Sequence, residues 1–548
     1  MSTPGEADVL PQLDERQLDL LEAVGECRQT LVGERLYRAG DATYHLFVIL
    51  SGAVEVVLDD GNAEERVIAQ LGPGMFLGEL NMLTGQRVYL SARVTAAGEV
   101  VRVPADVARR LIAIDATLGD TIVTAFLARR DALRSGAGSS IRLLGSRYVP
   151  ETRAVREYLA RHRIPHEWVE PDADGSVDEI GLSGVSRSEL PAVLAPGAVL
   201  LRATPASVAS HLGMTLDGVP DRFFDLVVVG AGPAGLAAAV YGASEGLRTL
   251  TLDSLAPGGQ AGSSSRIENY LGFPTGISGA ELVERAVVQA ERFGAQLTSP
   301  CVVESLREES GHLVVRLADG TDIAGRAVIA ASGARYRRLP LDRLQEFEGN
   351  GVYYAANQAE ARACGLGPVV VVGGGNSAGQ AAMFLADCGN EVTLVARRAD
   401  LADTMSQYLI DRIAHHARAE VCPRSTVTDL VGNTSLEGII MQSNPAGSRH
   451  IPCVGLFSFI GAEPSSAWLS ELAALDSGGF VLTDRSLSED SLDERWSAVD
   501  RPPLPYETSQ PGLFAVGDVR AGSTKRVAAA VGEGSAAVRS VHQHLSFV

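Results

Sequence analysis

The chain has 548 residues, of which 46% are hydrophobic and 21% are charged. This composition is typical of a folded protein and excludes disorder as the main state, and the length predicts about three to five domains. The net charge of -20 disfavours nonspecific binding to nucleic acid or to an anionic membrane, because both would repel it.

The six cysteines form no C-x-x-C motif, and their spacing indicates neither a disulfide framework nor a metal site. This usage is typical of a reducing compartment, and we expect a cytoplasmic protein. The N-terminus shows no basic segment followed by an apolar run, and no stretch of about 18 apolar residues occurs, so we expect neither a signal peptide nor a membrane span.

Short strands separated by turn residues are predicted between residues 30 and 103, a pattern typical of a β-barrel or jelly roll. A long helical stretch is predicted from about Ala105 to Leu133, and the Gly- and Ser-rich segment 134–140 predicts a flexible linker. The predicted strands are Leu46 to Leu50, Ala53 to Leu58, Arg66 to Leu71, Ser91 to Val94 and Val100 to Val103.

Residues 141–215 predict a smaller α/β unit that begins with a strand, a helix and a strand: Ile141 to Leu144, Glu151 to Arg161 and His166 to Val169. From residue 224 onward strands alternate with helices, which favours a parallel sheet. The predicted fold class is therefore multidomain α/β, with an N-terminal barrel, a small α/β domain and two Rossmann-type dinucleotide-binding domains.

The first glycine-rich turn follows a predicted buried strand, Phe224 to Val229, and precedes an apolar helix, Leu236 to Ser244. In a G-x-G-x-x-G turn the glycines permit a tight bend, close approach of a pyrophosphate to backbone N–H groups, and close helix packing. The next strand ends at an acid, which can accept hydrogen bonds from a ribose diol. The predicted dinucleotide-binding residues are Gly230, Gly232, Pro233, Ala234, Gly235 and Asp253.

A second glycine-rich turn follows the strand Val369 to Val372 and precedes the helix Gly379 to Ala386. The next strand, Glu391 to Val395, leads to two arginines instead of an acid. Guanidinium groups at this position favour a ribose 2′-phosphate, which predicts NADPH rather than NADH. The predicted NADPH-binding residues are Gly373, Gly375, Asn376, Ser377, Ala378, Arg397 and Arg398.

Two dinucleotide sites in one α/β unit indicate a flavin enzyme that a nicotinamide supplies with electrons. Residues Gly512 to Asp518 read as a strand that ends in an acid able to reach the ribityl chain of FAD. Lys525 and the residues after it open a helix whose N–H groups and dipole would stabilise negative charge on the flavin. The FAD-binding residues predicted in this segment are Gly517, Asp518, Arg526, Val527 and Ala528.

Residues 222–548 resemble the low-molecular-weight thioredoxin reductases. The resemblance implies FAD at the first site, NADPH at the second site and a homodimer, and it adds Gly259, Gln260, Asn269 and Gly333 to the FAD-binding residues. The matching motifs, in chain order, are Gly230 to Gly235, Gly258-Gly259-Gln260, Ile267 to Tyr270, Gly272-Phe273-Pro274, Ala331 to Ala334, Gly373 to Ala378, Arg397-Arg398, Phe459-Ile460-Gly461 and Gly517-Asp518.

The sequence departs from that family at the redox motif. The family carries a C-x-x-C just before the NADPH-binding strand, where this chain reads Tyr-Ala-Ala-Asn-Gln-Ala-Glu over residues 354–360. Because neither cysteine is present, no catalytic residue is predicted, and thioredoxin reduction by the family mechanism is disfavoured. We interpret the neighbouring Cys364 and Cys388 as buried structural cysteines.

The N-terminal barrel resembles a cyclic-nucleotide-binding domain in Gly40-Asp41, Leu46 to Gly52 and Phe76 to Leu80. The resemblance implies that a glutamate of this cassette binds the ribose and that a later arginine binds the cyclic phosphate. Tyr89 or Leu90 occupies the arginine position. Two alternatives remain open, a barrel retained for docking and a ligand pocket formed by Gly78, Glu79, Leu80 and Arg87.

Residues 141–215 weakly resemble a glutaredoxin or thioredoxin fold in which Val149 and Thr152 replace the two cysteines and Pro191 is the loop proline opposite them. This degenerate domain is expected to serve packing or docking. The predicted boundaries are 1–138 for the barrel with its helices, 139–217 for the thioredoxin-like domain, 222–341 with 463–548 for the FAD domain, and 342–462 for the NADPH domain.

These features predict an oxidoreductase that transfers a hydride from NADPH to FAD and passes electrons to an unidentified small-molecule or small-protein acceptor. One alternative is a regulatory flavoprotein with little turnover, which would respond to a nucleotide bound by the barrel. Another alternative is a thioredoxin-disulfide reductase that uses cysteines other than the family pair. The protein is expected to be a cytoplasmic homodimer.

Overall fold

The computed structural model describes residues 6–41, 45–58, 66–79, 83, 87–88, 90–135, 141–170, 185–216, 222–264, 267, 270–348, 351–354, 356, 358–433, 435–492, 494–497, 499 and 501–547. Within these ranges the chain forms an N-terminal barrel, a small α/β module and two dinucleotide-binding folds. The predicted fold class is confirmed.

Two antiparallel four-stranded sheets, in the orders β1-β8-β3-β6 and β2-β7-β4-β5, form the barrel. Phe47 and Ile49 of β3 pack between the sheets, and Leu46 and Val48 pack against the helices, so this strand is apolar at every position. The elements of this module are α1 (Glu6–Val9), α2 (Glu15–Glu22), β1 (Glu26–Thr30), β2 (Arg35–Tyr37), β3 (Leu46–Ile49), β4 (Ala53–Leu58), β5 (Arg66–Leu71), β6 (Phe76–Leu77), β7 (Ser91–Ala96), β8 (Gly98–Val103), α3 (Ala105–Ile114) and α4 (Ala116–Ser135).

The predicted helical stretch from Ala105 to Leu133 consists of two helices, because the chain bends by 118° between α3 and α4. Asp115 has an extended backbone at the bend, and its carboxylate accepts a hydrogen bond from the Leu118 N–H at 2.9 Å. This hydrogen bond, with that from the Thr117 hydroxyl, lowers the pKa of Asp115 to about 2. The aspartate therefore begins a new helix instead of continuing the first.

No single helix within the described residues is long and apolar enough to cross a membrane. The bent pair of α3 and α4 reaches the required length and apolar content only when both helices are taken together. Their apolar side chains, including Ile112, Ile122 and Phe126, pack against the barrel.

The second module is a four-stranded sheet in the order β10-β9-β11-β12, with β9 and β10 parallel and the remaining pairs antiparallel. Tyr158 and Leu159 of its first helix are fully buried against this sheet. The thioredoxin-like assignment of this module stays a prediction. The elements are β9 (Arg142–Leu144), α5 (Pro150–Arg161), β10 (Glu167–Val169), β11 (Ala192–Ala195), β12 (Ala198–Leu200) and α6 (Pro205–His211).

The first dinucleotide-binding fold has a parallel core of β15, β14, β13 and β18, extended by the antiparallel strands β17 and β16. The core strands are apolar on both faces because helices or further strands cover both sides. The elements are β13 (Phe223–Val229), α7 (Pro233–Ser244), β14 (Thr249–Leu252), α8 (Gly279–Arg292), β15 (Gln296–Thr298), β16 (Val303–Glu309), β17 (His312–Leu317) and β18 (Asp322–Ala330).

The second dinucleotide-binding fold has a parallel five-stranded sheet in the order β20-β27-β21-β22-β23 and a three-stranded antiparallel sheet, β24-β25-β26. The pair β19 and β28 joins the segments that enter and leave this fold. The elements are β19 (Ala334–Tyr336), α9 (Leu344–Phe347), β20 (Val352–Tyr353), α10 (Gln358–Ala363), β21 (Val369–Val372), α11 (Asn376–Asp387), β22 (Val392–Val395), α12 (Gln407–His415), β23 (Ala419–Cys422), β24 (Ser425–Gly432), β25 (Leu436–Ser443), β26 (Gly447–Pro452), β27 (Gly455–Ser458) and β28 (Ala462–Pro464).

The C-terminal segment returns to the first dinucleotide-binding fold and forms α13 (Glu494–Ser497), β29 (Leu513–Ala515) and α14 (Val527–Leu545). Strand β29 pairs with β18 in parallel and is the seventh strand of the sheet. Helix α14 packs closely on α7. Short 3₁₀ helices span Arg187–Glu189, Ala261–Ser263, Ala467–Leu469, Asp484–Ser486, Glu489–Ser491 and Gly517–Val519.

Candidate dinucleotide sites

The first glycine-rich turn lies between β13 and α7, as predicted. Gly230 has φ +105, and a Cβ atom there would lie 2.6 Å from the carbonyl carbon of Ala331. A Cβ atom on Gly235 would collide with the Gly230 carbonyl oxygen and lie 2.9 Å from its carbon. In contrast, the nearest atom to a Cβ on Gly232 is the Gly259 Cα, at 3.9 Å. Gly230 and Gly235 are therefore required by the fold, whereas Gly232 leaves space beside the N-terminus of α7.

The N-terminus of α7 begins with Pro233 and Ala234, and Gly232 is its N-cap residue without a side chain to bond the free N–H groups. Such N–H groups, together with the helix dipole, form a binding site for a pyrophosphate. Ala234 also contacts the C-terminal segment, because a Cβ on Gly534 would lie 2.9 Å from its carbonyl carbon. The turn and α14 are thus packed as one unit.

Asp253, at the end of β14, has a role that the sequence does not reveal. Its carboxylate accepts hydrogen bonds from the N–H groups of Ala231 at 2.8 Å and of Leu255 and Ala256 at 3.0 Å each. Burial nevertheless raises its pKa, because desolvation outweighs these hydrogen bonds. Asp253 therefore ties the glycine-rich turn to the loop that follows β14.

That loop leads to Gly258 and Gly259, which have φ values of +116 and +51, a region that favours glycine. The side chain of Gln260 donates a hydrogen bond to the Ala334 carbonyl. Gly333 has φ +69, and a Cβ atom there would meet no atom within 4 Å. Asn269 lies outside the described residues.

The C-terminal part of the first site is held by Glu533, a residue that the sequence analysis missed. Its carboxylate accepts a hydrogen bond from the Gly517 N–H at 2.7 Å and forms an ion pair with Arg520 at 2.6 Å. It also accepts a hydrogen bond from Ser523. The loop after β29 is thereby fixed to α14. The signal that the sequence offered is that Glu533 is the single acidic residue of a largely apolar helical run.

Asp518 follows Gly517 in this loop, and burial raises its pKa while the nearby Lys525 ammonium opposes that effect. Lys525 donates a hydrogen bond to the Asp518 carbonyl at 3.1 Å. Arg526 is the N-cap residue of α14, and Val527 and Ala528 form its first turn without a side-chain cap. The structure thus brings Gly517, Asp518 and a helix N-terminus without a side-chain cap together.

The second glycine-rich turn lies between β21 and α11. Gly373 has φ +150, and a Cβ atom there would lie 2.5 Å from the Phe459 carbonyl oxygen. Gly375 precedes α11 without a capping side chain, and a Cβ atom there would have ordinary contact distances. Ser377 is exposed in the first turn and Ala378 is buried. This end of α11 is therefore a second candidate phosphate site.

Asn376 does not point its amide oxygen toward an open site. Its Oδ1 accepts hydrogen bonds from the N–H and the hydroxyl of Ser406, both at 2.7 Å. It therefore fastens the turn to the segment that precedes α12.

Arg397 and Arg398, which the sequence predicts to bind the 2′-phosphate, follow β22 and have exposed side chains. Arg398 forms an ion pair with Asp403 at 3.5 Å, but both side chains are more than half exposed. An ion pair of this kind contributes little energy and is easily exchanged for another anion.

The cysteine environments differ. Cys364 and Cys453 are buried near each other, and burial raises their pKa values to about 11 and about 12. Cys388 is exposed at the end of α11, so the expectation that it is buried is wrong. It is the C-cap residue of that helix, and its backbone N–H donates a hydrogen bond to the Phe384 carbonyl at 3.0 Å. Ala355 and Asn357 lie outside the described residues.

In the barrel, Glu79 forms an ion pair with Arg129 of α4 at 2.9 Å. Arg129 also donates hydrogen bonds to the carbonyls of Val9 and Phe76. The Arg87 N–H donates a hydrogen bond to the Leu212 carbonyl of the second module. Gly78 has φ +100, and Leu80 lies outside the described residues.

With these sites placed, comparison with known proteins identifies the family. A family model described as pyridine nucleotide-disulphide oxidoreductase matches residues 224–534. The chain belongs to this family. A second model, described as a cyclic nucleotide-binding domain, matches residues 28–115 and confirms the predicted identity of the barrel.

The chain is 30% identical over 327 residues to a thioredoxin reductase of Listeria monocytogenes, covering 59% of this chain and 95% of that protein. It is 32% identical over 332 residues to a thioredoxin reductase of Treponema pallidum, covering 59% of this chain and 97% of that protein. The crystal structure of Lactococcus lactis thioredoxin reductase in its FR conformation is similar with a TM-score of 0.51 at 26% identity, covering 59% of this chain and all of that one.

These findings confirm the prediction of an FAD-dependent NAD(P)H oxidoreductase similar to thioredoxin reductase. The predicted cofactors, FAD and NADPH, are those that the family uses. The two glycine-rich turns and their uncapped helix N-termini fit such dinucleotides. The assignment of individual residues to each cofactor remains a prediction.

Proposed function

We propose that this flavoprotein transfers electrons from NADPH through FAD to an acceptor without a dithiol relay inside the chain. The observation that carries the proposal is the combination of two dinucleotide folds with alanine, asparagine and glutamine where a C-x-x-C would lie. When bound, FAD accepts a hydride from NADPH and passes electrons on.

The first turn supplies the FAD contacts in this proposal. Gly232 leaves room for the pyrophosphate at the N-terminus of α7, and the loop of Gly259 and Gln260 lies opposite. Asp253 orients both loops through its three backbone hydrogen bonds. Asp518 and the N-terminus of α14 would approach the ribityl chain and the flavin. We include Asn269 on the resemblance alone.

The second turn binds NADPH in this proposal. The N-terminus of α11 would receive the pyrophosphate. Arg397 and Arg398, both exposed, would bind the 2′-phosphate, and Arg398 would exchange its weak contact with Asp403 for it. Two oxygens of one phosphate accept parallel hydrogen bonds from a guanidinium, so NADPH is favoured over NADH.

The cysteines do not favour the disulfide-reductase alternative. Cys364 has a pKa raised to about 11, so at neutral pH it is a thiol rather than the nucleophilic thiolate. Cys388 is accessible, but burial and the adjacent Asp387 raise its pKa as well. We therefore infer that the acceptor is a small molecule or a small protein that receives electrons directly from the flavin.

Anaerobic stopped-flow mixing of the FAD-loaded protein with NADPH tests the proposal. Rapid loss of the flavin absorbance band supports an enzyme, and no loss supports the regulatory alternative. The acceptor is tested by adding ferricyanide or an oxidised thioredoxin to the reduced protein. Reoxidation by thioredoxin that disappears in the Cys364→Ser and Cys388→Ser double variant would contradict direct transfer from the flavin.

A regulatory role of the barrel is a second proposal, favoured by the match to a cyclic nucleotide-binding domain. A nucleotide ribose that bonds Glu79 would have to compete with Arg129, which also holds the carbonyls of Val9 and Phe76. Binding would thus break the ion pair between Glu79 and Arg129, one of the contacts that link α4 to the barrel. Equilibrium dialysis with cyclic AMP tests this idea, and no binding to the wild type at millimolar nucleotide would refute it.

We also propose that the protein is a cytoplasmic homodimer with the domain boundaries given by the sequence. Support comes from the resemblance to dimeric reductases and from the reduced cysteines. Light scattering of the purified chain at several concentrations tests the oligomeric state.

A further inference from the structure

The end of helix α5, in the thioredoxin-like module, packs directly against the first dinucleotide-binding fold. The Tyr158 hydroxyl donates a hydrogen bond to the Ser299 carbonyl at 3.3 Å, and the His162 Nε2 lies 3.0 Å from the Ser299 hydroxyl. Arg163 forms an ion pair with Glu284 of α8. The side chains of this turn border a cavity of about 640 Å³ between the modules.

Ser299 belongs to a loop that is tied to the proposed adenosine side of the FAD site. It follows Thr298, whose carbonyl accepts a hydrogen bond from the Asp253 N–H at 3.0 Å. The Asp253 carbonyl in turn accepts one from the Cys301 N–H at 2.6 Å. Since Asp253 also bonds the glycine-rich turn, a movement of Ser299 would be transmitted to that turn.

His162 bonds one of the loops that flank Asp253 and lies beside the other. It bonds Ser299, and the Leu255 backbone is near enough to raise the pKa of its ring. Burial lowers the pKa of His162 to about 3, the Arg130 guanidinium adds to this effect, and the Leu255 contact opposes it. The ring is therefore neutral at physiological pH and can both donate and accept a hydrogen bond.

The position of His162 is itself fixed from two sides. Its ring packs against Tyr158 with the ring centroids 4.4 Å apart. Its backbone carbonyl accepts a hydrogen bond from Arg130 of α4 at 2.6 Å. A series of contacts thus runs from the barrel helix α4 through His162 to the loops around Asp253.

We propose that His162 is a positioning residue for FAD: the thioredoxin-like module braces the two loops that flank Asp253 and so contributes to flavin affinity. The inference rests on the proposed assignment of FAD to this fold. The thioredoxin-like module, which contains no cysteine, would then have a function other than redox catalysis, because its helix α5 holds the loops of the neighbouring cofactor site in place.

The test measures FAD binding to the FAD-free full-length protein by quenching of flavin fluorescence. The dissociation constant should rise at least tenfold in His162→Ala, and His162→Gln should recover part of the loss because its amide can bond Ser299. His166→Ala is the matched control, since His166 bonds the Ile164 carbonyl of its own module. The control should bind FAD as the wild type does.

Ser299→Ala provides a second variant in which the thioredoxin-like module is unchanged. It should also weaken FAD binding, and the effects of His162→Ala and Ser299→Ala should be non-additive, because they remove the same contact. If His162→Ala does not fold, Ser299→Ala decides: a dissociation constant within twofold of wild type overturns the inference. Wild-type affinity in folded His162→Ala overturns it too. Failure of the wild type to bind FAD would refute the cofactor assignment instead.

Discussion

Replacing Gly232 with alanine should separate the folding of the first dinucleotide fold from its cofactor binding. Gly232 has φ -73 and ψ -176, values that alanine adopts without strain. The nearest atom to the added methyl group would be the Gly259 Cα at 3.9 Å. The free energy of unfolding of the FAD-free protein should therefore change by less than about 0.5 kcal/mol.

The FAD affinity of the same variant should fall, because the methyl group lies beside the N–H groups that approach the pyrophosphate. A hydrogen bond to a charged group contributes about 1.5–3 kcal/mol. Losing one such bond raises the dissociation constant by about ten- to a hundredfold.

Gly235→Ala is the matched comparison, since this variant should be destabilised in folding, before FAD binding is considered. Its Cβ would collide with the Gly230 carbonyl oxygen. Gly230 is itself packed closely against Ala331, since a Cβ on Gly230 would lie 2.6 Å from the Ala331 carbonyl carbon. We expect a loss of about 3 kcal/mol or more in the free energy of unfolding.

Urea unfolding of the FAD-free proteins and fluorescence titration with FAD measure the two quantities separately. Wild-type FAD affinity in Gly232→Ala would refute the position of the pyrophosphate. Wild-type stability in Gly235→Ala would refute the packing on which the comparison depends.

Replacing Arg397 and Arg398 together with alanine should lower kcat/KM for NADPH by about ten- to a hundredfold and leave that for NADH nearly unchanged; equal losses would show that the pair does not bind the 2′-phosphate. Cys388 should react with a thiol reagent in the folded protein, whereas Cys453, with its pKa raised to about 12 by burial, should react only after unfolding; equal labelling rates would contradict this. The pKa of His162 in the folded protein is lower than its value of about 6.5 in the unfolded chain. The contribution of neutral His162 to the free energy of unfolding is therefore complete above about pH 6.5 and decreases by about 1.4 kcal/mol for each pH unit below that value. The difference in urea stability between wild type and His162→Gln should show this slope from pH 6 to 5, and a constant difference would contradict it.

Much of the fold follows from local patterns that the sequence displays. The runs Val227 to Val229 and Val369 to Val372, each followed by a glycine-rich turn and an apolar helix, predicted both dinucleotide folds. The strand–helix–strand pattern at 141–169 predicted the second module within a few residues. Such predictions succeed because the turn requires positive φ angles and close backbone contact, which only glycine supplies.

The sequence failed where a polar residue takes part in contacts that the pattern does not encode. Asp115 interrupts an otherwise continuous apolar periodicity, because its carboxylate caps the next helix. Cys388 lies next to buried helix positions but is exposed. In both cases the hydrophobic pattern predicted the helical segment but did not reveal the environment of one residue within it.

By itself, the sequence determined the order of the modules, the two glycine-rich turns, the arginine pair and the absence of a C-x-x-C, because each depends on residues close together in the chain. Only the tertiary structure decided three contacts: the hydrogen bond of Glu533 to the Gly517 N–H, the ion pair of Arg129 with Glu79, and the hydrogen bond between His162 and Ser299. These contacts join residues that belong to different helices and loops, and their formation depends on how those elements pack in three dimensions rather than on local backbone preference.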